Sequence, residues 1–217
     1  MESPSQNELE VAVKSYLDPY LNQNLYDMKA VKSLSCEDGK IVLKVEMPYA
    51  SDGIVGGMRQ ILTTNLEYLD NVDDVLIEVT TNIIAHKTQN NLKSLENVKN
   101  IIAVASGKGG VGKSTTSVNL ALALAQEGAR VGILDADIYG PSIGMMLGFP
   151  DGSRPKTLDN QFFIPLEAHG IQAMSMAFLV TDDTPMVWRG PMVSGALQQL
   201  LTQSKWDDLD YLIIDMP

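Results

Sequence analysis

Cysteine is nearly absent. Cys36 is the single one in 217 residues, which excludes an intramolecular disulfide framework and points to the cytosol. Basic residues are also short: 16 Lys and Arg stand against 27 Asp and Glu, a net charge of −11. Both halves share the deficit, with −7 over residues 1–97 and −4 over 98–217. Counterion release along a nucleic-acid backbone needs a basic face, so no nucleic acid is expected as a partner. No stretch approaches the ~18 consecutive apolar residues that span a bilayer. The opening MESPSQNELE has neither the basic nor the apolar region of a signal peptide. A cytoplasmic chain with no membrane attachment is the expectation. Histidine occurs only as His86 and His169, each without a neighbour at ligand spacing, and neither is assigned a metal. Internal repeats and low-complexity tracts are missing too.

What is present is an ordinary globular composition, 45% hydrophobic and 20% charged with 17 Gly and 10 Pro. The length admits one large or two small domains, and two are expected. Residues 7–21 place Leu9, Val13, Tyr16 and Leu17 at helical spacing before Pro19. MKAVKSL and KIVLKVEM then flank Cys36-Glu37-Asp38-Gly39, and alternating apolar residues around Asp-Gly signal a β-hairpin. From Ser51, apolar residues recur at three- to four-residue steps through Leu69, and a β-branched run over Val72–Thr80 ends the unit. The order is α-β-β-α-β, a small α+β domain over 1–84.

Residues 85–97 are polar and amide-rich and read as a linker. The remainder, 98–217, opens with KNIIAVAS, an apolar run suited to burial on both faces of a parallel sheet. A glycine-rich loop, a helix over Ser114–Glu127, a stop at Gly128 and a second buried strand, RVGILDAD, follow. Beyond a stretch rich in Pro, Gly and Met, a helix near Met192–Gln203 begins at Pro191, and YLIIDMP is a last strand. This is the α/β pattern of a doubly wound, mostly parallel sheet.

Gly107-Lys108-Gly109-Gly110-Val111-Gly112-Lys113-Ser114 fits G-x-x-x-x-G-K-[ST] between a strand and a helix, the context this motif requires. The glycines let successive backbone N–H groups face one anion, the helix N-terminus adds partial positive charge, and Lys113 adds a point charge. The Ser114 hydroxyl suits Mg²⁺, a hard cation that takes few protein oxygens. Asp135 and Asp137 in LDAD and Asp215 in YLIID stand at strand ends, where carboxylates face the ligand crevice of a parallel sheet. Asp215 has the form of a Walker B acid that holds Mg²⁺.

Lys108 is a second lysine inside the loop. With it, the loop resembles the deviant Walker A of MinD/ParA-like ATPases. Within that group, residues 98–217 resemble the Mrp/ApbC family of iron–sulfur cluster carriers, through KNIIAVASGKGGVGKSTTSVNLALALAQEGARVGILDADIYGPSIGMMLG, LVTDD…MVWRGPMVSGALQQLL and W-x-D-L-DYLIIDMP. The N-terminal unit looks like the small domain that bacterial members carry ahead of the ATPase. The resemblance implies a P-loop ATPase fold, ATP and Mg²⁺ as ligands, a homodimer, and iron–sulfur assembly proteins and client apoproteins as partners. It implies that Lys108 reaches the partner subunit's nucleotide, that Gly107 to Thr115, Lys113 included, cradle phosphate, and that Asp137 positions the attacking water. Ser114 would hold Mg²⁺, with Asp135 and Asp215 arranging the metal's water shell.

Two departures limit the transfer. Members continue past the strand-end aspartate with P-G-T-G-D, whereas this sequence stops at Pro217. They also carry a C-x-x-C whose thiolates, from two subunits, share a [4Fe–4S] cluster, and no such pair occurs here. A truncated chain is therefore expected, with its sheet unfinished, apolar strand faces uncovered, a tendency to aggregate and weak ATP binding. Cys36, placed by this reading in a hairpin turn, is taken as an incidental thiol. Trp188-Arg189-Gly190-Pro191-Met192 reads equally as a partner-facing loop or as a turn before a helix. Two rivals remain at this stage: a MinD/ParA-like positioning ATPase, and a non-catalytic partner-binding fragment.

Overall fold

The computed structural model describes residues 3–86, 95–137, 140–159, 161–179 and 190–217, with the backbone alone for 190–193. The chain divides into two compact units, Met1–Ile83 and Ile84–Pro217.

The first unit runs α1 (Gln6–Lys14), β1 (Val31–Glu37), β2 (Lys40–Met47), α2 (Asp52–Glu67) and β3 (Asp74–Thr81). Ser5 opens α1 with a capping box: its hydroxyl accepts from Glu8 N–H, and its own N–H donates to the Glu8 carboxylate. The helix stops at Lys14 rather than continuing toward Leu21. Two local devices compete with it there. The Ser15 hydroxyl donates back to Ala12 O, and the buried Asp18 carboxylate accepts the N–H groups of Tyr20 and Leu21. Tyr16 still reaches the core, whereas Leu17 turns outward and bridges to Asn24.

β1 and β2 pair antiparallel, with Glu37 opposite Lys40. Asp38 and Gly39 between them both have positive φ, at 47° and 75°, which is the backbone that a two-residue hairpin turn requires. A Cβ on Gly39 would also come within 2.4 Å of Asp73 Oδ2, so both torsion and space select glycine. Cys36 lies within β1 opposite Ile41, half-buried against the core, and not in the turn where the sequence reading put it. β3 joins β2 in parallel after α2, giving the sheet order β1-β2-β3. Leu9, Val13, Met58, Leu62 and Leu66 of the helices cover Ile41, Leu43, Val45 and Ile77 of the sheet.

The second unit contains β4 (Val98–Val104), α3 (Lys113–Gln126), β5 (Val131–Asp135), α4 (Ile143–Met146), β6 (Lys156–Leu158), β7 (Phe162–Ile164), β8 (Leu166–Ala168), β9 (Ile171–Ser175), α5 (Gly190–Gln203) and β10 (Leu209–Asp215). The main sheet has the order β4-β10-β5-β9-β8, parallel throughout except for β8. Gly128, at φ 88°, ends α3 and turns the chain into β5.

Two expectations are corrected here. The strand built from KNIIAVAS is an edge strand among the described residues, with Ile101 48% exposed, and is not buried on both faces. The strands built from VGILDA and YLIID are covered on both sides, so of these three strands only β4 leaves apolar surface uncovered. The stretch rich in Pro, Gly and Met carries regular structure. It supplies β9, a core strand beside β5, which β8 approaches through a turn at His169 and Gly170 with positive φ at both. Of the expected linker, residues 87–94 lie outside those described. His86 is held to the second unit by its N–H, which donates to Asn100 Oδ1.

Candidate phosphate-binding site

Parallel pairing brings the site together at the carboxyl ends of the strands. β10 and β5 are in register so that Asp215 stands opposite Asp135. On the outer flanks Asp215 is opposite Val104 of β4, and Asp135 is opposite Ser175 of β9. The loop of residues 105–112 leaves β4 at the same edge and feeds α3. Gly110 and Gly112 have φ of 74° and 88°, a conformation that L side chains rarely adopt. A Cβ at Gly107, Gly109, Gly110 or Gly112 would meet nothing within 4 Å, so the loop backbone is open on its outer side. Gly112 is the N-cap of α3 and no side chain caps that helix end. Uncapped N–H groups and the helix dipole favour an anion there.

Within this frame Asp215 is the hub. It is fully buried, and its Oδ2 accepts from Lys113 Nζ and from Ser114 Oγ, both at 2.7 Å. Its Oδ1 accepts from Ser117 Oγ at 2.6 Å. Lys113 Nζ also lies 3.2 Å from Ser114 Oγ. Asp135, equally buried, serves a different end. Its Oδ1 accepts from Asp137 N–H at 3.1 Å, and its Oδ2 from the N–H groups of Ser142 and Ile143 and from Ser175 Oγ. Burial raises the Asp135 carboxyl to about 6. The backbone N–H groups of Ile143 and Asp137 pull the other way, and the neighbouring charge of Asp215 adds to the rise.

A cavity of about 370 Å³ opens over these groups, walled by the glycine loop, Lys113, Ser114, Asp137, Met145 and Pro217. That volume lies within the ~300–1,000 Å³ of small-molecule sites. Lys108 is exposed on the rim. Its backbone is braced by Ser106, whose hydroxyl accepts from Lys108 N–H and donates to Lys108 O.

A family model described as NUBPL iron-transfer P-loop NTPase, of the ParA group, matches residues 97–217. A second model, described as iron–sulfur cluster assembly protein, matches residues 6–79. The chain belongs to the NUBPL iron-transfer P-loop NTPase family. Curated relatives named iron–sulfur cluster carrier protein include one from Pseudomonas fragi, 64% identical over 74% of this chain and 55% of its own length. Those of Haemophilus influenzae and Escherichia coli K12 are 46% and 45% identical over 98% and 94% of this chain, and 57% and 55% of their own. The chain thus spans somewhat more than half the length of the curated relatives it matches. A solved structure of the nucleotide-binding protein from Archaeoglobus fulgidus, in complex with ADP, is 39% identical with a TM-score of 0.48, over 56% of this chain and 45% of that one.

For a member of this P-loop NTPase family, the groups present suit a nucleotide's phosphates. An open glycine cradle, an uncapped helix end and an ammonium converge on one cavity. The pairing of Ser114 Oγ with a carboxylate gives the hard oxygen donors that Mg²⁺ prefers. Lys113, Ser114, Asp137 and the loop residues from Lys108 to Thr115, other than Val111, line the cavity. Asp215 lies directly beneath it, and Asp135 ties Asp137 to the start of α4.

Ser117 was missed by the motif reading. The signal was its position, four residues after Lys113 and three after Ser114, which puts a hydroxyl on the same helix face. Trp188 and Arg189 lie outside the described residues, and Gly190-Pro191-Met192 open α5. No group of three or more His, Cys, Asp or Glu able to hold a metal ion occurs among the described residues, so Cys36 has no companion ligands there. No described helix is long and apolar enough to cross a membrane.

Proposed function

We propose that this chain is the nucleotide-binding part of a cytoplasmic, ATP-hydrolysing carrier that works as a homodimer and passes iron–sulfur clusters to apoproteins. The observation that carries the ATPase reading is the Lys113–Asp215–Ser114 constellation, with both contacts at 2.7 Å, beneath an uncapped helix N-terminus. Lys113 transfers its ammonium from Asp215 to the β- and γ-phosphates, a move across its own cavity. Ser114 Oγ and Asp215 hold Mg²⁺, with Asp135 ordering its surroundings. Mg²⁺, when bound, neutralises charge on the phosphate oxygens. Asp137, fixed at its backbone by Asp135, orients the attacking water. Lys108, exposed on the rim, reaches the nucleotide of the second subunit.

The cluster is cargo, and a [4Fe–4S] centre needs about four thiolates. With only Cys36 available, its ligation is not assigned to these residues. Support for the carrier reading over a positioning ATPase comes from the N-terminal unit, whose match is to an iron–sulfur assembly family. That unit is the surface proposed for assembly partners.

In the full-length protein Lys113→Ala abolishes ATP hydrolysis, and unchanged turnover would overturn the nucleotide assignment. Mixing Lys108→Ala with Asp137→Ala protein regenerates one intact composite site per heterodimer and restores part of the activity. No recovery in verified heterodimers removes the shared site from the mechanism.

A further inference from the structure

Among the described residues Asp215 has three side-chain donors, and they are not equivalent. Lys113 and Ser114 both address Oδ2, on the cavity side. Ser117, itself fully buried, addresses Oδ1 from inside the α3 interface. The Ser117 hydroxyl has a single hydrogen and two acceptors within reach: Asp215 Oδ1 at 2.6 Å and Lys113 O, one turn back, at 3.1 Å. A charge-assisted bond to a carboxylate is shorter and stronger than one to a neutral carbonyl, so the hydrogen goes to Asp215. Rotation of the carboxylate about its Cβ–Cγ bond would break this contact. The plane of Asp215 is therefore set from the buried side.

The consequence concerns a change of partners, and it rests on the nucleotide reading above. When a nucleotide and Mg²⁺ are held, Lys113 leaves Asp215 for phosphate and Ser114 turns its oxygen to the metal. Of the three donors, only Ser117 has no other task in the site. We propose that Ser117 is a positioning residue that holds Asp215 in a fixed orientation in both states, so that Oδ2 stays turned toward Ser114 and the cavity. Ser117 touches neither nucleotide nor metal, and it acts through Asp215 alone.

With alanine at this position, Oδ1 is left buried without its donor. A buried carboxylate that has lost this donor is free to rotate, and that weakens a metal contact. The loss is specific to metal coupling, because the glycine loop, the α3 N-terminus and Lys113 are unchanged. Threonine retains the hydroxyl on the same β-carbon and a back-bonding rotamer in a helix.

The test is the affinity of the full-length protein for ADP, measured by titration calorimetry in Mg²⁺ and again in EDTA, for wild type, Ser117→Ala and Ser117→Thr. We expect the ratio of the two dissociation constants to shrink about tenfold in Ser117→Ala, with the EDTA affinity unchanged, and to return to within about twofold of wild type in Ser117→Thr. A wild-type ratio in Ser117→Ala overturns the proposal. A parallel fall of both affinities, not rescued by threonine, overturns it in favour of simple packing. If wild type itself binds no ADP under either condition, the nucleotide reading fails first, and this inference falls with it.

Discussion

Removing Lys113 should damage the protein before any nucleotide is added. Its ammonium and Asp215 form an ion pair with 12% and 0% of the side chains exposed. Deleting one partner of a buried pair typically costs ~3–5 kcal/mol, since the other charge is stranded. Asp215 would keep the hydroxyls of Ser114 and Ser117, and water from the cavity can replace the ammonium, so about 1–3 kcal/mol is the reasoned loss for Lys113→Ala. The second unit, Ile84–Pro217, should have an unfolding entropy of about 0.3 kcal/mol per kelvin, which turns that loss into a fall in Tm of about 3–10 °C. Both tryptophans, Trp188 and Trp206, lie in this unit, so their fluorescence reads its melting without interference from the first. A ligand at about 100 times its Kd adds about 2.7 kcal/mol, or roughly 9 °C, to wild type. The variant should show the lower baseline and no rise with ADP and Mg²⁺. Lys108→Ala is the control, because its exposed side chain makes no ion pair among the described residues and its baseline should not move. A Lys113→Ala protein that melts with wild type and still rises with ADP would refute the reasoning.

Asp135 gives a pH signature. Its carboxyl is raised by burial from 3.8 to about 6, so the neutral form favours the folded state; that contribution is complete below about pH 4 and is lost as pH rises through 6. The stability of Asp135→Asn relative to wild type, from urea denaturation, should therefore climb by about 3 kcal/mol between about pH 3 and 7 and then level off; a flat difference contradicts the assignment. Gly132→Ala places a Cβ 2.5 Å from Leu209 Cδ1 and 3.0 Å from the Trp206 ring, and should cost about 1–3 kcal/mol with a changed tryptophan spectrum. Leu43→Ala empties a fully buried site in the first unit. It should cost about 2–5 kcal/mol, read as lost amide protection in β1–β3, while ADP affinity is retained.

The elements legible in sequence were those with a long period or a motif. The α-β-β-α-β order of the first unit followed from helical spacing over Met58, Leu62 and Leu66 and from the Asp38-Gly39 turn, and the phosphate loop carried its own signature between β4 and α3. What escaped was short or locally overridden. β9 is five residues long and has most of its side chains buried, so it shows no alternation. It was hidden between turns of a Met-rich stretch. The end of α1 was decided by Ser15 and Asp18 side chains competing for backbone, against an apolar period that ran on through Leu17. At the site, Asp135 and Asp215 look alike in sequence as acids closing apolar strands. Their division of labour depends on which N–H groups and hydroxyls surround each one, which only packing decides. Ser117 carries no motif at all, and its role exists only because α3 lies against the end of β10.

The most direct test of the central claim is a titration of ¹⁵N-labelled full-length protein with ADP and Mg²⁺, followed at the backbone amides. Bonds to phosphate should shift the N–H signals of Gly109, Gly110, Gly112, Lys113, Ser114 and Thr115 together, saturably and at one apparent Kd, with no such shifts in Lys113→Ala. Amides of the glycine loop that stay in place at millimolar ADP while the protein remains folded would contradict the account.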